Sequence, residues 1–147
     1  MQFLRDSRIL ASIADRRPSV RLDAAVAYVG ADAPLLMPFR RGDVLVFNGS
    51  ENALANGATS ADAIGALHRR KVKLFAHQKL HAKVYVVGHV AIIGSANLSV
   101  RAATDGTAEA AIETDDVSIV KEALAFITDV QRDAESVDEA WLDWATS

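Results

Sequence analysis

The sequence predicts an α/β fold, a mixed β-sheet flanked by helices on both faces, in a single domain spanning residues 1–147. Three observations predict it. Short apolar runs suited to strands alternate with segments of helical periodicity, the pattern of a sheet covered by helices. Two apolar-rich runs, 81–87 and 90–93, are separated only by Gly88-His89, which adds an antiparallel hairpin to the sheet. No linker, repeat or low-complexity tract divides the chain, and its length suits one domain with a sizeable core.

Taken in order, residues 3–16 read as a helix with Ile9, Leu10 and Ile13 on one face and Pro18 as its stop. Residues 24–29, AAVAYV, form the first expected strand. The connection over 30–41 is punctuated by Pro34 and Pro38, with one helical turn at 35–37. Residues 43–47, DVLVF, make a second strand, followed by the loop NGSEN. Ser60 is a suitable N-cap for a helix reaching about Arg70, with Ile64 and Leu67 inward. Residues 71–75 alternate polar and apolar as a half-buried strand does. In the hairpin, Gly88 stands at the first loop position, the signature of a type II′ turn. Asp115 or Asp116 then caps a helix over 117–132, with Val120, Leu124, Ile127 and Val130 on its buried stripe. A last amphipathic segment carries Val137, Trp141 and Trp144. The two indoles are expected in the core or at an interface.

The composition is that of a globular protein, half hydrophobic and one quarter charged. No apolar run is long enough to span a bilayer, and Arg5, Asp6 and Arg8 interrupt the apolar residues near the N-terminus. A cytoplasmic location without a membrane partner is therefore expected. The absence of cysteine excludes a disulfide framework, a thiol nucleophile and a thiolate metal site. Net charge is −3, yet residues 68–83 hold six of the 16 Lys and Arg, three of the four His and no acid. An anionic partner should meet the middle of the chain.

The residues that carry chemistry occur in that neighbourhood. His81 and Lys83 are two apart on an expected strand, so their side chains project from one face. An imidazole can attack phosphorus or pass a proton, and an ammonium neutralises a non-bridging oxygen in the transition state. Downstream, Gly94 lets the backbone turn, while Ser95 and Asn97 supply neutral donors to phosphate oxygens. Glu109 offers a carboxylate to the far nitrogen of His81, a role open also to the nearby Glu113. His77-Gln78-Lys79 repeats the H-x-K pattern but is read as basic rim. No His and carboxylate spacing suits a metal, and no metal or other cofactor is expected.

This arrangement resembles the phospholipase D superfamily, whose signature is H-x-K, four residues, D, six residues, then G-S-x-N. The matching segment is LHAKVYVVGHVAIIGSANLS, and TAEAAIETDD resembles the region that supplies the family's Glu. The signature Asp is missing, and Lys83 to Gly94 is one residue shorter than the pattern, which places the deletion at the hairpin turn. Strict hairpin pairing would oppose Lys83 with Gly94 and leave Ser95 and Asn97 on the wrong face. A bulge or break at Gly94 is therefore expected. Thr107 stands where many relatives carry Asn, and the Glu lies one residue late.

The resemblance implies a phospholipase D-like sheet and a metal-independent phosphodiesterase. His81, Lys83, Asn97 and Glu109 are its implied catalytic residues, and Lys83, Ser95 and Asn97 bind phosphate. Family enzymes use two histidine–lysine motifs, so one usable copy implies a homodimer with the site on its two-fold axis. Compact single-motif members are often nucleases, which makes DNA the expected nucleic-acid partner and endonucleolytic cleavage the expected reaction. A phospholipase, another small phosphodiester hydrolase, or a degenerate nucleic-acid-binding module remain the alternatives.

Overall fold

Strands and helices alternate along the chain, as described for residues 1–17 and 20–147 of a computed structural model. They are β1 (Gln2–Arg5), α1 (Arg8–Arg16), β2 (Leu22–Val26), α2 (Ala33–Leu36), β3 (Val44–Asn48), α3 (Glu51–Ala55), α4 (Ala61–Arg69), β4 (Lys73–His77), β5 (Lys83–Val87), β6 (Val90–Gly94), α5 (Val100–Ala103), β7 (Ala110–Thr114), α6 (Val117–Arg132), β8 (Glu135–Ser136) and α7 (Glu139–Ala145). The helix stop expected at Pro18 lies outside the described residues.

All eight strands join one mixed sheet in the order β1-β7-β6-β5-β2-β3-β4-β8. The β2-β3 and β3-β4 pairs are parallel and the others antiparallel. The larger core lies on one face, where Ile9 and Ile13 of α1, Ile64 and Leu67 of α4 and Trp141 of α7 meet the sheet. On the other face α6 packs with Ala123 and Ile127 against Ala25, Val46, Val84 and Val86. The expected architecture is therefore the one observed. No helix of the described residues is long and apolar enough to cross a membrane.

Local chemistry explains most boundaries. The Oγ of Ser60 accepts from the N–H of Ala63 at 3.1 Å, capping α4. Asp116, rather than Asp115, caps α6 by accepting from the N–H of Ile119 at 3.0 Å. In the β5–β6 hairpin Val87 pairs with Val90, and Gly88 has φ +60° while His89 does not enter the positive-φ region. That combination is the type II′ turn. Arg17 and Asp43, both buried, form an ion pair that ties the end of α1 to the start of β3.

Several elements differ from expectation. Residues 3–5 belong to strand β1, not to the first helix. Leu4 enters the core and the strand pairs with β7, a long-range gain invisible to local periodicity. Asp6, at φ +52°, then turns the chain into α1. Strand β4 runs two residues later than expected because Lys71, at φ +67°, still belongs to the preceding turn. Strand β7 and the short α3, α5 and β8 are additional. Trp141 is a core residue, packed edge-to-face on Phe47 with ring centroids 5.6 Å apart.

Candidate active site

The carboxyl ends of β2, β3 and β4 set one end of the molecule, and the β4–β5 connection crosses it. Strand β5 is separated from β4 by β3 and β2, so residues 78–82 must pass over the ends of both. Two hydrogen bonds hold that path: Asn48 Nδ2 donates to the Leu80 carbonyl at 2.9 Å, and the Ala27 N–H donates to the Ala82 carbonyl at 2.9 Å. Leu80 is buried in the α6-side core. His81 thus lies exposed between two anchored residues, just before β5 rather than within it. His77 and His81 consequently do not share a strand. His77 ends β4 opposite Asn48, and its Nδ1 accepts from the Lys79 N–H at 3.0 Å.

Lys83 opens β5 opposite Val26, and its Nζ lies 3.4 Å from His81 Nε2. An ammonium can only donate, so this contact favours an unprotonated Nε2 that carries a lone pair. Burial lowers the Lys83 pKa, the charge of Glu109 works to raise it, and the balance lies below the ordinary lysine value. The His81 ring also meets the ring of Tyr28 edge-to-face, at 6.2 Å between centroids. Tyr28 follows β2, and sequence reasoning passed over it because only the fold brings it to His81.

The expected break at Gly94 is present. The β5–β6 ladder stops at Val84 and Ile93, while β6 continues along β7 to pair Gly94 with Ala111. A Cβ on Gly94 would collide with the Ala110 carbonyl oxygen and stand 2.5 Å from Ala111 Cβ. Close approach of β7, not a tight turn, is what requires glycine there. Ser95 then donates its hydroxyl to Glu109 Oε1 at 2.6 Å and accepts from the Ala110 N–H at 3.0 Å. The buried Tyr85 hydroxyl holds the Ala96 carbonyl at 2.7 Å, and burial together with the Glu109 charge drives that phenol's pKa upward. Asn97 Oδ1 accepts from the Tyr28 N–H at 3.2 Å. With its oxygen engaged, the Asn97 amide has its NH₂ left to donate.

Glu109 is fixed elsewhere than on His81. Its Oε1 and Oε2 accept from Ser95 and from Thr107, the latter at 2.5 Å, and its N–H donates to Asp6 Oδ1 at 2.9 Å. Among the described residues no hydrogen bond joins it to the imidazole, which corrects the expected carboxylate–histidine contact. Thr107, standing in the family's Asn position, serves as a partner of this carboxylate. Glu113 is excluded from the site: at the far end of β7 it accepts from Ser12 at 2.6 Å and pairs with Arg16 at 3.0 Å. Burial pushes its carboxyl up, but these two partners outweigh burial and hold it below the ordinary value.

His81, Lys83, Ser95, Asn97 and Glu109 therefore gather at one end of the sheet, and no group of three or more His, Asp or Glu among the described residues is arranged to hold a metal ion. A family model described as cardiolipin synthase, PLD-like domain, matches residues 35–130, a span that includes all of these residues. The chain belongs to the phospholipase D-like family. No curated protein sequence matches it. The phospholipase D-like fold is shared with Nuc of Salmonella typhimurium, a phospholipase D family member. That likeness has a TM-score of 0.65 and 16% identity over 94% of this chain and 99% of the other. NucT from Helicobacter pylori is similar at TM-score 0.66 and 17% identity, covering 92% of this chain and 100% of the other. TrmBL2, an archaeal chromatin protein with a novel mode of DNA binding, is similar at TM-score 0.58 and 12% identity, over 92% of this chain and 53% of the other. The phospholipase D-like assignment places the chain in a phosphodiesterase superfamily.

Proposed function

We propose that the chain is a metal-independent endonuclease that cleaves DNA through a phosphohistidine intermediate at a homodimer interface. The observation that carries this reading is the pair formed by His81 and Lys83, with Nζ 3.4 Å from Nε2 beside the Ser95–Asn97 loop. In the first step Nε2 of one His81 attacks phosphorus, a P–N bond forms, and the P–O bond to the leaving strand breaks. His81 of the second protomer gives its proton to the departing oxygen. Water then attacks phosphorus, its proton passes to that second imidazole, and the P–N bond breaks. Lys83 and the Asn97 amide hold the non-bridging oxygens through the charge build-up. Ser95 joins them once its hydroxyl turns from Glu109. Glu109 acts on this site through Ser95 and through the charge it presents to Lys83. Two copies are required because one motif cannot stand on both sides of the same phosphorus, and His77 is committed to β4.

DNA is favoured as substrate by the basic residues on the β4–β5 connection and by the DNA binding of TrmBL2, which shares the fold. A second reading, a non-catalytic DNA-binding module, is favoured by the missing signature Asp. A supercoiled-plasmid nicking assay with and without EDTA decides between them, run beside phosphatidylcholine hydrolysis. Nicking that persists in EDTA supports the proposal. Retardation without nicking supports the binding module, and activity restored only by magnesium discards the imidazole mechanism. Mixing His81→Ala and wild-type chains should yield heterodimers with severely reduced turnover. Full activity of a sedimenting monomer defeats the shared site.

A further inference from the structure

The fold divides the basic stretch of the sequence between two ends of the sheet. His77, Lys79, His81 and Lys83 stand at the site end, whereas Arg70, Lys71 and Lys73 precede or open β4 at the opposite end. The length of β4 separates the two groups by roughly 13 Å. A fourth cation joins the far group from another connection. Arg41 and Gly42 form the tip of a turn in which the Asp43 N–H donates to the Arg40 carbonyl at 3.1 Å, and the Gly42 N–H donates to the Lys71 carbonyl at 3.2 Å. The Lys73 N–H donates to the Asp43 carbonyl at 2.8 Å. The turns before β3 and β4 are thus stitched together, and Arg41, Arg70, Lys71 and Lys73 are exposed on them.

Among the described residues none of these four forms an ion pair, and the carboxylates near them are engaged elsewhere. Asp43 is buried against Arg17, Asp23 pairs with Arg21 at 2.9 Å, and Glu139 lies 3.8 Å from His68. Asp115 and Asp116 follow β7, five strands from β4 in the sheet order. That is about 24 Å by the usual strand spacing, well beyond a screening length of about 8 Å. The C-terminal dipole of α4 offsets only about half a unit of the accumulated charge. Lys71 also holds φ +67°, just past the helix, where glycine or asparagine is usual. We propose that these two turns form a second phosphate-binding surface, on which the chain holds a DNA segment that it does not cut. Their apolar neighbours Val44, Val72 and Leu74 are buried. The surface therefore offers charge without the exposed apolar anchor that a membrane or a protein partner engages. It stands whether the chain cuts DNA at the other end or only binds there. Two surfaces at opposite ends grip separate segments, and holding one raises the local concentration of the other.

Lysine acetylation read by mass spectrometry tests this on the His81→Ala chain. With a short DNA duplex in excess, Lys71 and Lys73 should be acetylated about fivefold more slowly than in the free chain, and Lys121 on α6 at an unchanged rate. That protection should fall with added salt at a logarithmic slope of about −3.5, as four neutralised phosphates require. In the chain that keeps His81, the combined substitutions Arg41→Gln, Arg70→Gln, Lys71→Gln and Lys73→Gln should slow plasmid nicking about tenfold. Hydrolysis of the small diester bis(p-nitrophenyl) phosphate should be unchanged. A chain without turnover that still shows the protection supports the surface and defeats only the cleavage reading. Protection of Lys79 with Lys71 and Lys73 labelled at the free rate overturns the surface. So does protection of that pair by phosphatidylglycerol vesicles and not by duplex. Should the four substitutions disturb the circular dichroism spectrum, the acetylation rates of the His81→Ala chain decide.

Discussion

His81 and Lys83 are separable in experiment because the structure gives them different neighbours. Replacing His81 by Ala removes the proposed nucleophile and should lower turnover by ~10⁴-fold or more. His81 is exposed, so the thermal midpoint should barely move; retained activity with His77→Ala dead would transfer the role to the other motif. For Lys83 the sign of the pH effect follows from its surroundings. Burial lowers its pKa and Glu109 opposes the fall. The ammonium, proposed to hold the phosphoryl oxygens, is therefore lost at a lower pH than an ordinary lysine would lose it. Glu109→Gln removes the opposing charge, so the alkaline limb of the rate profile should move further down in pH. A profile that stays in place or moves up contradicts this coupling. The H-x-K and G-S-x-N residues were legible in the sequence because each group is local. Tyr28 and Asp6 were not, since Tyr28 reaches His81 only through the fold, from the segment after β2, and Asp6 reaches Glu109 across a separation of 103 residues. Nor did local pattern decide between Glu109 and Glu113, whose different ends of β7 emerge only from the pairing.

At the level of elements, the β6–β7 contact is the most demanding. The Cβ of Gly94→Ala would meet backbone oxygen and a neighbouring Cβ, neither of which can swing away. The variant should lose about 3 kcal/mol of stability, read from the urea midpoint, and should loosen Ser95, lowering turnover as well. An unaltered midpoint would mean that the strands part without cost. The hairpin, the two capped helices and the parallel strands were legible because turn residues, caps and apolar runs announce them locally. Strands β1 and β7 were not. QFLR continues into a helical pattern, and AAIET is short and lies among acids, so only pairing between the two makes either a strand. That pairing also explains why Phe3 and Ile112 can lie side by side on the surface.

Across the whole molecule, net charge is negative while Arg5, Lys79 and Lys83 stand at the site end. Three cations from each of two protomers would neutralise about six phosphates, so DNA affinity of the His81→Ala protein should fall with salt at a logarithmic slope of about −5. A slope near zero would rule out a phosphate-tracking surface. The sheet's connectivity has a further outcome in time. The first strand made is β1, yet the strand it pairs with, β7, is made last but one among the strands of the described residues. The carboxylate beside Lys83 hangs from that late strand. A chain emerging from the ribosome therefore carries its imidazole and ammonium long before the edge that completes their surroundings can close. The β1 amides should therefore be among the last to gain protection from hydrogen exchange during refolding.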